Sequence, residues 1–150
     1  MKYSNLLNLG EILRDAPTHV VMRRSPDFPN YYRGQDVDLL VMNMDRWITY
    51  LSRFLPNYTR YVISPTHVQI DHWAGSGQLD LKFDLYSEHI SGELTRHILA
   101  SMELVNINGV TFKVPAQKYE NLLKCYEYKV NGKQKYKEFA RHELLLKPYL

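Results

Sequence analysis

The eight residues LDLKFDLY, Leu79 to Tyr86, alternate apolar and polar without a break. Only a β-strand repeats every two residues, so Leu79, Leu81, Phe83 and Leu85 line one buried face. Asp80, Lys82 and Asp84 then share the other face. A sheet with an apolar side is forced at this point, and the rest of the chain has to supply its neighbours and its cover. Tyr58 to Ile63 and His67 to Trp73 read as two such neighbours, joined at Ser64-Pro65, with AGSGQ as the turn into LDLKFDLY. HVVM, His19 to Met22, is a short strand, and DVDLLVM, Asp36 to Met42, is a longer one.

The cover is helical. Leu6, Leu7, Leu9, Ile12 and Leu13 have helical spacing, and Asp15-Ala16-Pro17 ends that run. Trp47, Ile48, Leu51, Phe54 and Leu55 form a second stripe, capped by Asp45 or Asn43. Ser91 suits the cap of a helix through Met102. Asn108-Gly109 predicts a type I′ turn between MELVNI and VTFKV. Pro115 fits the first position of a helix with Tyr119, Leu122, Leu123 and Tyr126 on one side, broken at Asn131-Gly132. A last helix is expected from about Lys133 to Leu146, while RRSPDFPNYYRGQ, with two prolines, is expected to be loop. The fold class is therefore α/β (α+β): a mixed β-sheet flanked by helices, with a helical C-terminal tail. No repeat or linker divides the chain, which reads as a single domain over 1–150, with its core at about 18–86 and its tail at about 115–150.

A chain of 150 residues can bury one proper core, and 45% hydrophobic with 23% charged residues is the balance of a soluble globular domain. Its apolar stretches are far shorter than a membrane span, and MKYSNLLNLGEILRD lacks a signal-peptide core. Cys125 is the sole cysteine, which excludes a disulfide within the chain and argues against a cysteine-based zinc site. A reducing cytoplasm is the default expectation. The net charge of +3 is too small to announce a nucleic-acid binder. Lysines gather after Asn121, at Lys124, Lys129, Lys133, Lys135, Lys137 and Lys147, with Arg141. They form either a solvated helical face or a positive rim for an anionic substrate.

The sharper chemical feature is the pair of acids at the start of DVDLLVM. Asp36 and Asp38 point to the same side of their strand, about 6–7 Å apart, and repel unless something positive sits between them. Alone, such a pair is more often a solvated surface than half of a metal site. Together with a third acid from a neighbouring strand it makes an oxygen cage suited to Mg²⁺ or Mn²⁺. Asp84 is favoured for that third place on strand parity, with Asp80 and Asp71 as rivals. Other candidates carry less chemistry. His67 and His72 alternate poorly for shared ligation, and Ser76 in AGSGQ lacks a nucleophile-elbow frame. Cys125 and the stripe tyrosines among the twelve in the chain read as core.

The order of a strand, a loop, Asp-hydrophobic-Asp-Leu-Leu-Val, a helix and a strand with a third acid resembles the nucleotidyltransferase fold of the DNA polymerase β type. Within it, VVMRRSPDFPNYYRGQDVDLLV is similar to small bacterial nucleotidyltransferases found with capsular and lipopolysaccharide synthesis genes. The resemblance covers about Thr18 to Tyr86. It implies that Asp36, Asp38 and Asp84 hold Mg²⁺ or Mn²⁺ and carry catalysis, and that Arg23, Arg24, Ser25 and Gly34 bind the nucleotide. The implied reaction moves a nucleotidyl group from a nucleoside triphosphate to a hydroxyl or phosphate acceptor, with surface polysaccharide as one setting. One departure stands out: where the wider superfamily carries Gly-Ser, this chain has Arg23-Arg24-Ser25. That loss supports an alternative, a catalytically degenerate binding module in a toxin–antitoxin pair or an assembly.

Overall fold

LDLKFDLY forms β7 (Leu79–Tyr86), and the computed structural model, which describes residues 2–150, pairs it on both sides. On one side lies β4 (Gln35–Val41), parallel to it; on the other lies β6 (His67–Trp73), antiparallel. β2 (His19–Met22) and β5 (Tyr58–Ser64) complete a five-stranded sheet of order β2-β4-β7-β6-β5. β5 is the free edge and is exposed along nearly its whole length. The fold is α+β with a mixed sheet, as expected.

The sheet serves two cores. On one face Val21, Val37, Leu39, Val41, Leu81, Phe83 and Leu85 pack with Ile12 and Leu13 of α1 (Leu9–Arg14) and Trp47 and Leu51 of α2 (Met44–Ser52). Phe112 and Val114 close this core from the hairpin of β8 (Glu103–Ile107) and β9 (Val110–Val114). On the other face Val20, Met22 and Leu40 meet Leu94 and Ile98 of α3 (Gly92–Ala100) and Leu122, Leu123 and Cys125 of α4 (Gln117–Lys129). This second core covers only the β2–β4 side of the sheet, so Leu40 is buried while Asp38, two residues earlier on the same face, sits at the margin of the cover.

Several boundaries shift for identifiable reasons. α1 begins at Leu9, not Leu6, because the Asn8 side chain accepts the Glu11 N–H at 3.0 Å, and Leu6 stays exposed. Asn43 caps α2 by accepting the Arg46 N–H at 3.1 Å. The hairpin turn has positive φ at both Asn108 and Gly109, as a type I′ turn requires. Pro115 lies one residue before the Ala116 cap of α4 rather than at its first turn. The long loop contains a two-residue strand, β3 (Tyr31–Tyr32), paired with β1 (Tyr3–Ser4). The tail is not one helix: a 3-10 segment, Gln134–His142, precedes the short α5 (Glu143–Leu146).

β7 also departs from its own pattern. Its register with β6 slips so that Leu79 faces Trp73 and Leu81 faces His72, which leaves Asp80 as the extra residue of a bulge. The Asp80 carboxylate is therefore not beside Asp84. It is fully buried and accepts from Tyr31 Oη at 2.9 Å, from His72 Nδ1 at 2.8 Å and from the Ser4 hydroxyl. These bonds tie β1 and β3 to the main sheet. Asp80→Ala would remove the acceptor shared by buried Tyr31 and His72 and half-buried Ser4, and is expected to cost about 3 kcal/mol or more, against under about 1 kcal/mol for Asp84→Asn. Chemical denaturation of the two variants measures this; equal costs would show that Asp80 clamps nothing.

Candidate functional site

Asp36 and Asp38 fall on the same side of β4 because the strand repeats every two residues. The parallel pairing with β7 then sets Asp36 opposite Lys82 and Asp38 opposite Asp84. β6 continues the row, with Gln69 opposite Asp84 and Asp71 opposite Lys82. Asp71 thus shares the face, but β7 separates it from β4, and its Oδ1 accepts from Gln69 Nε2 at 2.7 Å. Three carboxylates, those of Asp36, Asp38 and Asp84, border one another at the β4–β7 seam. The register sets Asp84, the acid that strand parity favours, beside Asp38, while the bulge takes Asp80 out of the row.

Each of the three has its own counter-group. Asp36, half exposed, is 3.7 Å from Lys82 Nζ. Asp84 is buried, and its Oδ1 accepts from His67 Nε2 at 2.8 Å. His67 in turn stacks on Tyr86, with ring centroids 4.1 Å apart. Asp38 accepts from Arg23 Nη2 at 3.1 Å. Arg23 is not the exposed loop entry that the sequence allows: its side chain is only 5% exposed. Its Nη1 donates to His89 Nε2 at 3.1 Å and lies 3.4 Å from Glu127 Oε1. Its backbone N–H donates to Glu120 Oε1 at 3.0 Å. Its φ is +48°, a left-handed conformation that costs a residue with a Cβ about 1 kcal/mol or more. The backbone here is shaped as for glycine, but an arginine occupies it.

Burial, with Asp36 and Asp84 nearby, pushes the Asp38 carboxyl above the ordinary range despite the opposing pull of Arg23. Burial likewise raises Asp84, which His67 offsets only in part. Glu127 goes the other way: burial alone would raise it, but the Asn131 amide, Arg23 and Lys133 hold it low. Burial and the Arg23 charge push His89 down to about 4, so the neutral ring can accept from the guanidinium.

Beside the seam lies a cavity of about 600 Å³. Asp36 and Asp38 line one part of it and Arg24 and Ser25 another, while Lys124, Lys133 and Lys135 come from α4 and the tail. The lysines thus face the same space as the acids. Lys124 Nζ stands 5.0 Å from the Phe139 ring and Lys135 Nζ 5.0 Å from the Tyr136 ring. Gly34 is not among the lining residues; its φ of +85° and its N–H bond to the Asp80 carbonyl, 2.8 Å, make it a turn glycine here. A cavity of about 680 Å³ between the end of α1 and α2 is slightly larger, but its walls mix surface acids and bases and it lies away from the seam.

Three carboxylates are an all-oxygen donor set of the kind that suits Mg²⁺ or Mn²⁺, so the chemistry of the residues fits such an ion. Their arrangement is not closed around one: among the described residues no group of three or more His, Cys, Asp or Glu stands close enough together to hold a metal. Sequence reasoning misses Glu127 and His89, which arrive from distant segments. A signal existed for Glu127, since Glu120 and Glu127, seven apart, lie on the apolar side of α4 with Leu123, where a charge needs a buried partner.

The raised carboxyls have a consequence for stability. A carboxyl whose folded value lies above its unfolded one contributes fully below the ordinary value of 3.8 and loses that contribution as pH rises through the folded value. Asn at position 84 can still accept from His67 without carrying charge. The stability of Asp84→Asn relative to wild type is thus expected to grow between about pH 4 and about pH 7.5 in chelator. Denaturation curves at both pH values test this; a flat or falling difference would mean that the Asp84 charge is not strained.

No protein-family model matches the sequence, and no curated protein matches it. Among solved structures, the chain is similar to the crystal structure of an antigenic nucleotidyltransferase-like protein from Paracoccidioides brasiliensis. The TM-score is 0.48 at 18% identity, covering 87% of this chain and 67% of that one. Among the described residues no helix is long and apolar enough to cross a membrane. A likeness this loose transfers neither residues nor activity.

Proposed function

We propose that the chain is a Mg²⁺- or Mn²⁺-dependent nucleotidyltransferase acting from a nucleoside triphosphate on a hydroxyl or phosphate acceptor. The observation that carries this reading is the in-register meeting of Asp38 and Asp84 across β4 and β7, with Asp36 alongside; Asp36 and Asp38 also line a cavity that three lysines face. Asp36, Asp38 and Asp84 would hold the metal. A bound Mg²⁺ would neutralise phosphate charge and lower the pKa of the acceptor hydroxyl.

The chain's own residues have the remaining tasks. Arg24, Ser25 and the lysines at 124, 133 and 135 lie where a triphosphate would extend away from the acids, and their charge complements it. Asp84, steadied by His67, would accept the acceptor's proton. The acceptor oxygen bonds to the α-phosphorus as the bond to the bridging oxygen breaks, and pyrophosphate leaves. The acceptor classes that fit are a sugar, a polyol and a protein side chain, with surface polysaccharide as the setting that the sequence resemblance suggests.

One observation supports a second reading, a binding module without turnover: Arg23 already neutralises Asp38 in the free protein. Incubation with each labelled triphosphate, Mg²⁺ or Mn²⁺ and a cell extract separates the two, because only an enzyme raises pyrophosphate release above that of the extract alone. Asp36→Asn, Asp38→Asn and Asp84→Asn are each expected to lose at least about 100-fold in release, and Asp71→Asn to stay within a few-fold. Activity near wild type in any of the first three would remove that residue from the site.

The phosphate grip is tested separately by nucleotide binding. Arg24→Ala and the double variant Lys133→Ala/Lys135→Ala are each expected to weaken binding by about tenfold, or about 1.4 kcal/mol. Unchanged affinity in both would place the triphosphate elsewhere.

A further inference from the structure

Arg23 joins three segments that the chain keeps far apart: the end of β2, the acids of β4, and α4 with the loop that carries His89. Its guanidinium touches Asp38 on one side, 3.1 Å away, and Glu127 and His89 on the other, 3.4 and 3.1 Å away. Glu127 is itself buried and is tied down by the Asn131 amide at 2.8 Å and Lys133 at 3.5 Å. The guanidinium therefore has a second, fixed anionic partner that does not belong to the acid seam. Asp38 does belong to it, and its side chain is 21% exposed, against 5% for Arg23 and 5% for Glu127.

We propose that Arg23 is a built-in counter-ion that competes with the divalent cation for Asp38, and that it withdraws onto Glu127 and His89 when the cation binds. This rests on the reading of Asp36, Asp38 and Asp84 as metal ligands. Arg23 is then a positioning residue rather than a phosphate ligand. It keeps Asp38 neutralised and oriented in the free protein and sets a threshold that free metal has to overcome. The exchange leaves no buried charge unpaired: the guanidinium stays against Glu127 while the metal takes over Asp38. Without Glu127, withdrawal would strand a buried cation, so the competition would be harder to win.

The test is Mn²⁺ binding without nucleotide, by calorimetry or by the electron paramagnetic resonance signal of free Mn²⁺. Arg23→Gln is expected to bind at least tenfold tighter than wild type, and the added Asp38→Asn change to abolish the gain. Arg23→Lys, which keeps a cation, is expected to bind as weakly as wild type, and Glu127→Gln more weakly still. Arg23→Gly, suited to the left-handed backbone at this position, serves if the glutamine variant folds poorly. Mn²⁺ binding that is equal in wild type, Arg23→Gln and Arg23→Gly overturns the proposal and leaves the metal reading standing. Absence of Mn²⁺ binding in all variants overturns both.

Discussion

β4 has to be buried on both faces beyond Asp38, and that constraint organises the molecule. Val37, Leu39 and Val41 go to the core under α1 and α2, and Leu40 goes to the core under α3 and α4. A strand buried on both sides cannot carry a charge in its middle without a large desolvation cost. Its acids are therefore confined to the stretch before the second cover closes. That stretch ends at Asp38, which shares its face with Leu40 and stands opposite Met22 of β2. The same geometry that makes a stable two-core domain sets carboxylates at the lip of one core. Parallel pairing then brings β7 alongside with a third.

Three like charges at one seam are tolerable only because each meets a different counter-group. Lys82 answers Asp36 from the opposite register position, at a distance and an exposure where the pairing is worth little. His67 answers Asp84 by a short hydrogen bond, and Tyr86 fixes the imidazole from above. Arg23 answers Asp38 from inside the protein, in a backbone conformation that an arginine adopts only at a cost. The cost is consistent with a residue held by what surrounds it: the Glu120 carboxylate on its N–H, and Glu127 and His89 on its guanidinium.

The legible part of the sequence was its period. LDLKFDLY identified a strand, its buried face and Asp84 as a partner for Asp38, because alternation is a local property. The same alternation misplaced Asp80, since a bulge depends on how β6 and β7 are joined and on Tyr31, Ser4 and His72 waiting to receive a carboxylate. Arg23 was visible as a departure from Gly-Ser, but its burial was not. Nothing in MRRSPD says that Glu127, more than a hundred residues later, holds the guanidinium. The tail's lysines were readable as a positive rim, whereas the break of the last helix into a 3-10 segment and α5 was not, because the backbone leaves helical geometry at Tyr136 (φ −106°, ψ 17°), where no glycine or proline marks it.

Asp80 and Asp84 make the most direct comparison on the strand. They lie four residues apart, each bonded to a histidine of β6 at 2.8 Å. Asp80 also accepts from a tyrosine and a serine and has no exposed surface, so its capacity is spent on holding the sheet to the N-terminal strand. Asp84 accepts one protein hydrogen bond, on Oδ1, and its Oδ2 is not among the buried, unpartnered atoms of the described residues. A carboxylate that is fully satisfied and sealed gains nothing from a ligand. One that is desolvated yet keeps an open oxygen gains from anything positive that arrives, because the burial that strains its charge also strengthens the new contact. The bulge at Asp80 therefore does more than spoil a pattern: it separates two acids of one strand into one that holds the fold together and one that keeps an oxygen open to solvent.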